Sequence, residues 1–108
     1  MKSYIGRRRH DGTLSVTVKN GDGQERDLDP RFDLRRHSPS GYEVGYAGSG
    51  PAQLSLAILA DLVGEDRARS AYQWFKVACI ANLPRDENWV LSETEILGVL
   101  KNRPGEEV

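Results

Sequence analysis

The residues with the most chemical potential lie at one junction, Tyr42-Glu43-Val44-Gly45-Tyr46-Ala47-Gly48-Ser49-Gly50-Pro51-Ala52-Gln53-Leu54, where a glycine-rich loop runs into an apolar segment. Such a loop can aim backbone N–H groups along the positive end of a helix dipole, which is how phosphate groups are cradled. Gly48, Ser49, Gly50 and Gln53 are the candidate ligand contacts on that reading. The lysine and hydroxyl that follow the last glycine of a P-loop are replaced here by Pro51 and Ala52, and the dinucleotide-binding pattern does not match either. On the alternative reading Gly45, Gly48 and Gly50 permit a tight, closely packed strand-to-helix connection, and Pro51 starts the helix.

Two arginine clusters form the second candidate: Arg7, Arg8 and Arg9 before His10, and Arg31, Arg35 and Arg36 before His37. If a sheet sets both on one face, they make a surface for an anion or a macromolecular partner. Residues 1–50 carry nine Lys or Arg against seven Asp or Glu, hence +2, and residues 51–108 carry six against nine, hence -3. As solvated charges the arginines would instead pair with Asp27, Asp29 and Asp33. Trp74, with Tyr42, Tyr46, Tyr72 and Trp89, offers either an exposed anchor for a protein or ordinary core. Asp33, His37 and Ser38 supply the residue types of an orienter, a base and a nucleophile, but their spacing matches no catalytic motif. His37 is expected to bond the turn that follows it, and Asp33 to pair with an arginine. His10, His37 and Cys79 are too widely separated for a structural zinc, and no cofactor is expected. Cys79 reads as a small core residue.

Positioning these residues falls to one α+β domain over 1–103, with a polar tail at 104–108: an N-terminal antiparallel sheet or set of hairpins, then a C-terminal three-helix layer around a buried central helix. Residues 13–19 alternate strictly, with Leu14, Val16 and Val18 on one face. Asn20-Gly21-Asp22-Gly23 turns the chain into a return arm at 24–28, and residues 4–9 can add a third strand. Phe32 and Leu34 lie on one side of the next segment, which breaks at 39–41. Tyr42, Val44 and Tyr46 alternate as another strand. A helix runs from Pro51 to Gly64, and a second covers 67–81 with Ala68, Ala71, Tyr72, Phe75, Ala78 and Cys79 in one stripe. Trp74, Val77 and Ala81 widen that stripe, and Ile80 falls among Arg69, Gln73 and Lys76 on the wet face, which suggests a dimer mate. Trp89-Val90-Leu91 reads as a short strand, and Ser92-Glu93-Thr94-Glu95 as the capping box of a third helix.

With 38% hydrophobic and 29% charged residues the composition is neither that of a disordered chain nor that of a membrane protein. A net charge of -1 removes the bulk positive charge of a general nucleic-acid binder. One cysteine forms no internal disulfide, the first residues hold no apolar run of a signal peptide, and the stretch 54–63 is too short to cross a bilayer. A cytoplasmic protein without membrane contact is expected.

At Leu28-Asp29-Pro30-Arg31, Asp33-Leu34, His37-Ser38-Pro39, Gly41-Tyr42-Glu43 and the run from Gly45 to Leu54, the chain resembles a small domain of unknown function found in bacteria, archaea, plasmids and phages. Tyr72-Gln73, Phe75-Lys76, Leu83-Pro84 and Trp89-Val90-Leu91 extend the likeness over nearly the whole chain, and Val44 stands where a tryptophan is expected. The resemblance brings no catalytic residues. It implies a mobile-element context, with accessory or counter-defence roles. The resulting expectation is a non-enzymatic binding protein that occupies a host macromolecule through Arg7, Arg8, Arg9, Arg35, Arg36, His37 and Trp74, with a protein partner or a homodimer. The alternatives are a phosphate or nucleotide module, in which an anionic small ligand sits on the glycine-rich loop with arginine help, and a nucleic-acid binder. An enzyme is least favoured.

Overall fold

The alternation of Leu14, Val16 and Val18 with polar residues produces a strand whose apolar side must be covered, and the computed structural model, which describes residues 1–38 and 41–105, places that strand inside a four-stranded sheet. The elements are β1 Ser3–Arg8, β2 Leu14–Lys19, β3 Glu25–Asp27, α1 Ser49–Val63, α2 Glu65–Ala78, a 3-10 turn Ile80–Asn82, β4 Trp89–Ser92 and α3 Glu93–Lys101. The sheet order is β3-β2-β1-β4, antiparallel throughout. Tyr4 pairs with Val18 and Leu91, and Gly6 with Val16 and Trp89, so these positions share one face. All six are buried, whereas Val90 on the other face is 57% exposed. An antiparallel sheet with one wet face gives this split.

β4 comes from the second half of the chain and joins the sheet to the helices. Ser92 ends β4 and caps α3: its hydroxyl accepts from the Glu95 N–H at 3.1 Å, and Glu95 Oε1 accepts from the Ser92 N–H at 3.1 Å. A second tie crosses from the sheet to α1. Asp61 accepts from the Tyr4 hydroxyl at 2.7 Å, from Lys2 Nζ at 3.2 Å and from Arg26 at 2.6 Å. Burial works against that carboxylate, yet the bonds from Arg26, Tyr4 and Lys2 outweigh it and hold its pKa below the usual value. In α1 every residue from Gly50 to Ala60 is buried, as its nearly continuous apolar sequence requires, and the helix packs chiefly along α2.

Several boundaries differ from the sequence pattern. Residues 42–46 form no strand: Gly45 takes a φ of 85°, and its N–H donates to the Ile80 carbonyl at 3.2 Å instead of to a sheet neighbour. Residues 31–34 turn rather than extend, with Arg31 at a φ of 56° and the Leu34 N–H bonded to the Arg31 carbonyl at 3.0 Å. α1 begins two residues before Pro51, with Gly48 as N-cap, and the proline sits in the first turn, where its missing N–H leaves no helix bond unmade. α2 starts at Glu65 and stops at Ala78, three residues short of the expected end. Cys79 leaves helical geometry, and the 3-10 turn carries Ile80 inward, where it is fully buried. The hint of a dimer mate drawn from Ile80 is thereby withdrawn. Pro39 and Ser40, in the break expected at 39–41, and residues 106–108, in the tail expected at 104–108, lie outside the described residues.

Candidate functional site

Each part of the glycine-rich junction has a packing reason. A Cβ on Gly45 would collide with Cγ of Arg85, and one on Gly50 would stand 2.7 Å from Cβ of Glu43. The loop can cross the helix ends only with hydrogen at those positions. Gln53, on α1, is fully buried. Its Oε1 accepts from the N–H of His37 at 2.7 Å and of Ser38 at 3.3 Å, and its Nε2 donates to the carbonyls of Pro30 at 2.6 Å and Arg35 at 3.0 Å. An amide side chain offers two donors and a carbonyl oxygen, and all are committed inside the fold. Gln53 therefore corrects to a buckle that fastens residues 30–38 onto α1, with nothing left for a ligand.

Beside Ser49 and Gly50 lies an open cleft of about 390 Å³, lined also by Asp11, Thr13, Ser38 and Glu43. Its ionisable lining groups include two carboxylates. Asp11 is held below the usual range by bonds from the Thr13 hydroxyl and N–H, and Glu43 by its bonds from Arg8. No arginine lines the cleft itself; Glu43 is paired with Arg8, and Pro51 removes one of the N–H groups a phosphate would use. The Asp11 carboxylate weighs against an anion on Gly48, Ser49 and Gly50.

The two arginine clusters do not share a face. Arg7 projects from the wet side of the sheet and pairs with Glu25 at 3.2 Å. Arg8, on the opposite side, makes a two-bond fork with Glu43 at 2.8 and 2.9 Å and donates from Nε to the Arg85 carbonyl at 2.8 Å. Arg9 is exposed at the strand end, where its N–H closes a turn onto the Thr13 carbonyl. Arg31 bridges Asp33 and Glu65, and Arg26 is taken by Asp61.

The loop after Arg31 is different. Arg35 and Arg36 are exposed, and among the described residues neither has a carboxylate in ion-pair range. The Arg36 guanidinium stands 5.3 Å over the Phe32 ring. His37 Nε2 lies 2.7 Å from the Tyr72 hydroxyl, a bond that seats the loop on α2. Burial, then the charges of Arg35 and Lys76, push the imidazole below its usual pKa. Residues 69, 72, 73 and 76 share one face of α2 by helical spacing, so Arg69 and Lys76 join the cluster. Arg69 has only a loose contact with Asp66 at 3.8 Å. Between loop and helix is a pocket of about 240 Å³, lined by Leu34, Arg35, Leu56, Arg69 and Tyr72. Trp74 lies about 200° round the helix from Tyr72, half-buried against the core, and takes no part. Arg69 and Lys76 were visible beforehand only as the wet face of α2; their meeting with Arg35 and His37 required the fold.

The model of DUF6166, a family of unknown function, matches residues 4–102. The chain belongs to that family. No curated protein and no solved structure matches it. The match takes in all four strands but for Ser3, all three helices, the junction and the cationic loop, so both candidate regions belong to the DUF6166 domain itself. Among the described residues of this DUF6166 chain no helix is long and apolar enough to cross a membrane, and no three His, Cys, Asp or Glu side chains are grouped to hold a metal ion. Burial and the Glu95 charge push the Cys79 thiol up to about 11, which keeps it protonated and unreactive at neutral pH.

Proposed function

We propose that this DUF6166 protein is a non-catalytic binding protein, and that Arg35, Arg36, His37, Arg69 and Lys76 form the surface that receives an acidic protein partner. One observation carries the reading. Arg7, Arg8, Arg26 and Arg31 are each paired with a carboxylate of the same chain, while Arg35 and Arg36, on a loop anchored by Gln53 and the Tyr72 hydroxyl, have none in ion-pair range. Cations left unpaired on an anchored loop favour a complementary charge from outside and speed its encounter. In this reading α1 is the buried central post of the helical layer, and the junction before it serves architecture.

A protein is favoured over nucleic acid because the cationic area is compact, Glu65 and Asp66 adjoin it at the start of α2, and the chain carries a net charge of -1. The mobile-element context implied by the family likeness makes a cytoplasmic host protein the natural partner, in an accessory or counter-defence role. The test is fluorescence anisotropy with labelled poly-glutamate and with a DNA duplex of matched charge. Poly-glutamate should bind, weaken between about 50 and 200 mM salt, and lose about tenfold in affinity to the double variant Arg35→Glu, Arg36→Glu, but not to Arg7→Glu. Tighter binding of the duplex, or no binding of poly-glutamate, overturns the reading.

A further inference from the structure

We infer that the pocket between Arg35 and Arg69 is a subsite for one glutamate side chain of the partner, presented beside an apolar residue. The inference rests on the proposed cationic surface and adds what that surface selects. Two arginines line the pocket from different elements, the loop and α2, while Leu34, Leu56 and Tyr72 supply apolar lining. Guanidinium forks suit a planar carboxylate, and a glutamate brings two methylene groups for that lining. A phosphate dianion has no such stem, and an apolar lining would cost it hydration without return.

Size points the same way. At about 240 Å³ the pocket is below the range of roughly 300–1,000 Å³ usual for small-molecule sites, and suits a single side chain. Part of its frame is anchored before binding. Gln53 holds the Arg35 carbonyl at 3.0 Å, and Tyr72 is held by His37 at 2.7 Å. Phe32, 39% exposed in the same loop beneath Arg36, offers an outer contact for the neighbouring apolar residue.

Three labelled peptides test this on the intact protein: alternating Leu and Glu, alternating Gly and Glu, and alternating Leu and Gln. The Leu-Glu peptide should bind about tenfold more tightly than Gly-Glu, and Leu-Gln should not bind. Phe32→Ser should remove the preference for Leu-Glu over Gly-Glu, whereas Leu34→Ser and Arg69→Gln should weaken both acidic peptides. On the unaltered protein, the Arg35 and Arg69 Nε–H resonances should move with Leu-Glu and stay still with Leu-Gln, which keeps the test independent of how the variants fold. Equal affinity for the two acidic peptides, with those resonances unmoved, sinks the subsite and leaves the cationic surface standing. Failure of every acidic peptide sinks the surface as well. Free propionate that binds as tightly as the peptide would make the occupant a small acid and overturn the assignment to a protein side chain.

Discussion

Arg8 and Arg35 belong to similar basic runs, yet the fold treats them in opposite ways. Arg8 leaves the end of β1 on the core side of the sheet, where Glu43 meets both of its terminal nitrogens and a main-chain carbonyl takes the third. Arg35 sits on a loop whose backbone is fastened by Gln53, and it shares a pocket lining with Arg69 instead of pairing with an acid. An arginine matched by its own chain contributes to stability and presents little charge. One held in position without a mate contributes little to stability and is available to another molecule.

The contrast can be broken at several points. Replacing Gln53 by Leu should have the largest effect: four bonds to main-chain groups of residues 30–38 are lost, at a cost of about 3 kcal/mol in urea unfolding. Binding of poly-glutamate should fall with it under native conditions. Unchanged binding would mean that the loop's position does not create the cationic surface. Asp61→Asn should cost about 2 kcal/mol, because Arg26, Lys2 and the buried Tyr4 hydroxyl all lose their anionic partner. Arg8→Gln should cost about 1 kcal/mol, a figure reduced because the pair is partly solvated. Arg35→Glu with Arg36→Glu should move stability by no more than about 0.5 kcal/mol while removing the binding. A large loss of stability there would erase the distinction between matched and unmatched arginines.

Acid should act on the matched set. Asp61, Glu43, Glu25 and Asp33 all have pKa values lowered in the folded state, so the unfolded chain takes up protons first. The stability they add is present above the unfolded carboxylate value of about 4 and is lost as pH falls through the lower folded values. His37 adds a smaller loss of the same sign below about pH 6.5, because its folded pKa is also depressed. Urea midpoints should therefore decline from neutral pH downward, and the Asp61→Asn protein should decline less.

Much of the sheet was legible because β2 alternates without a fault and Asn20-Gly21-Asp22-Gly23 has the composition of a tight turn. The strand expected at 42–46 failed on the same kind of signal. Tyr42, Val44 and Tyr46 mimic a period of two, but only Val44 goes fully into the core, and the Gly45 N–H is used by Ile80. Ile80 itself was misplaced because helical phase was carried past Cys79, where the backbone changes course. In the candidate site, Arg35, Arg36 and His37 could be named from their types, but their neighbours could not. Composition groups them with Arg7, Arg8 and Arg9, whereas Gln53 of α1 and the Tyr72 hydroxyl of α2 fasten their loop to the helices. A glutamine next to glycines reads as a ligand contact until its bonds can be traced.

The position of β4 governs how the molecule can come into being. Ile5 must wait for Val90, its register partner on β4, so a nascent chain carries β1 with an unprotected side until Trp89–Ser92 has emerged. The hairpin of β1 and β2 can zip early, but closure of the sheet is a late, long-range event, and a ribosome stalled before Trp89 would hold a species prone to pairing with its neighbours.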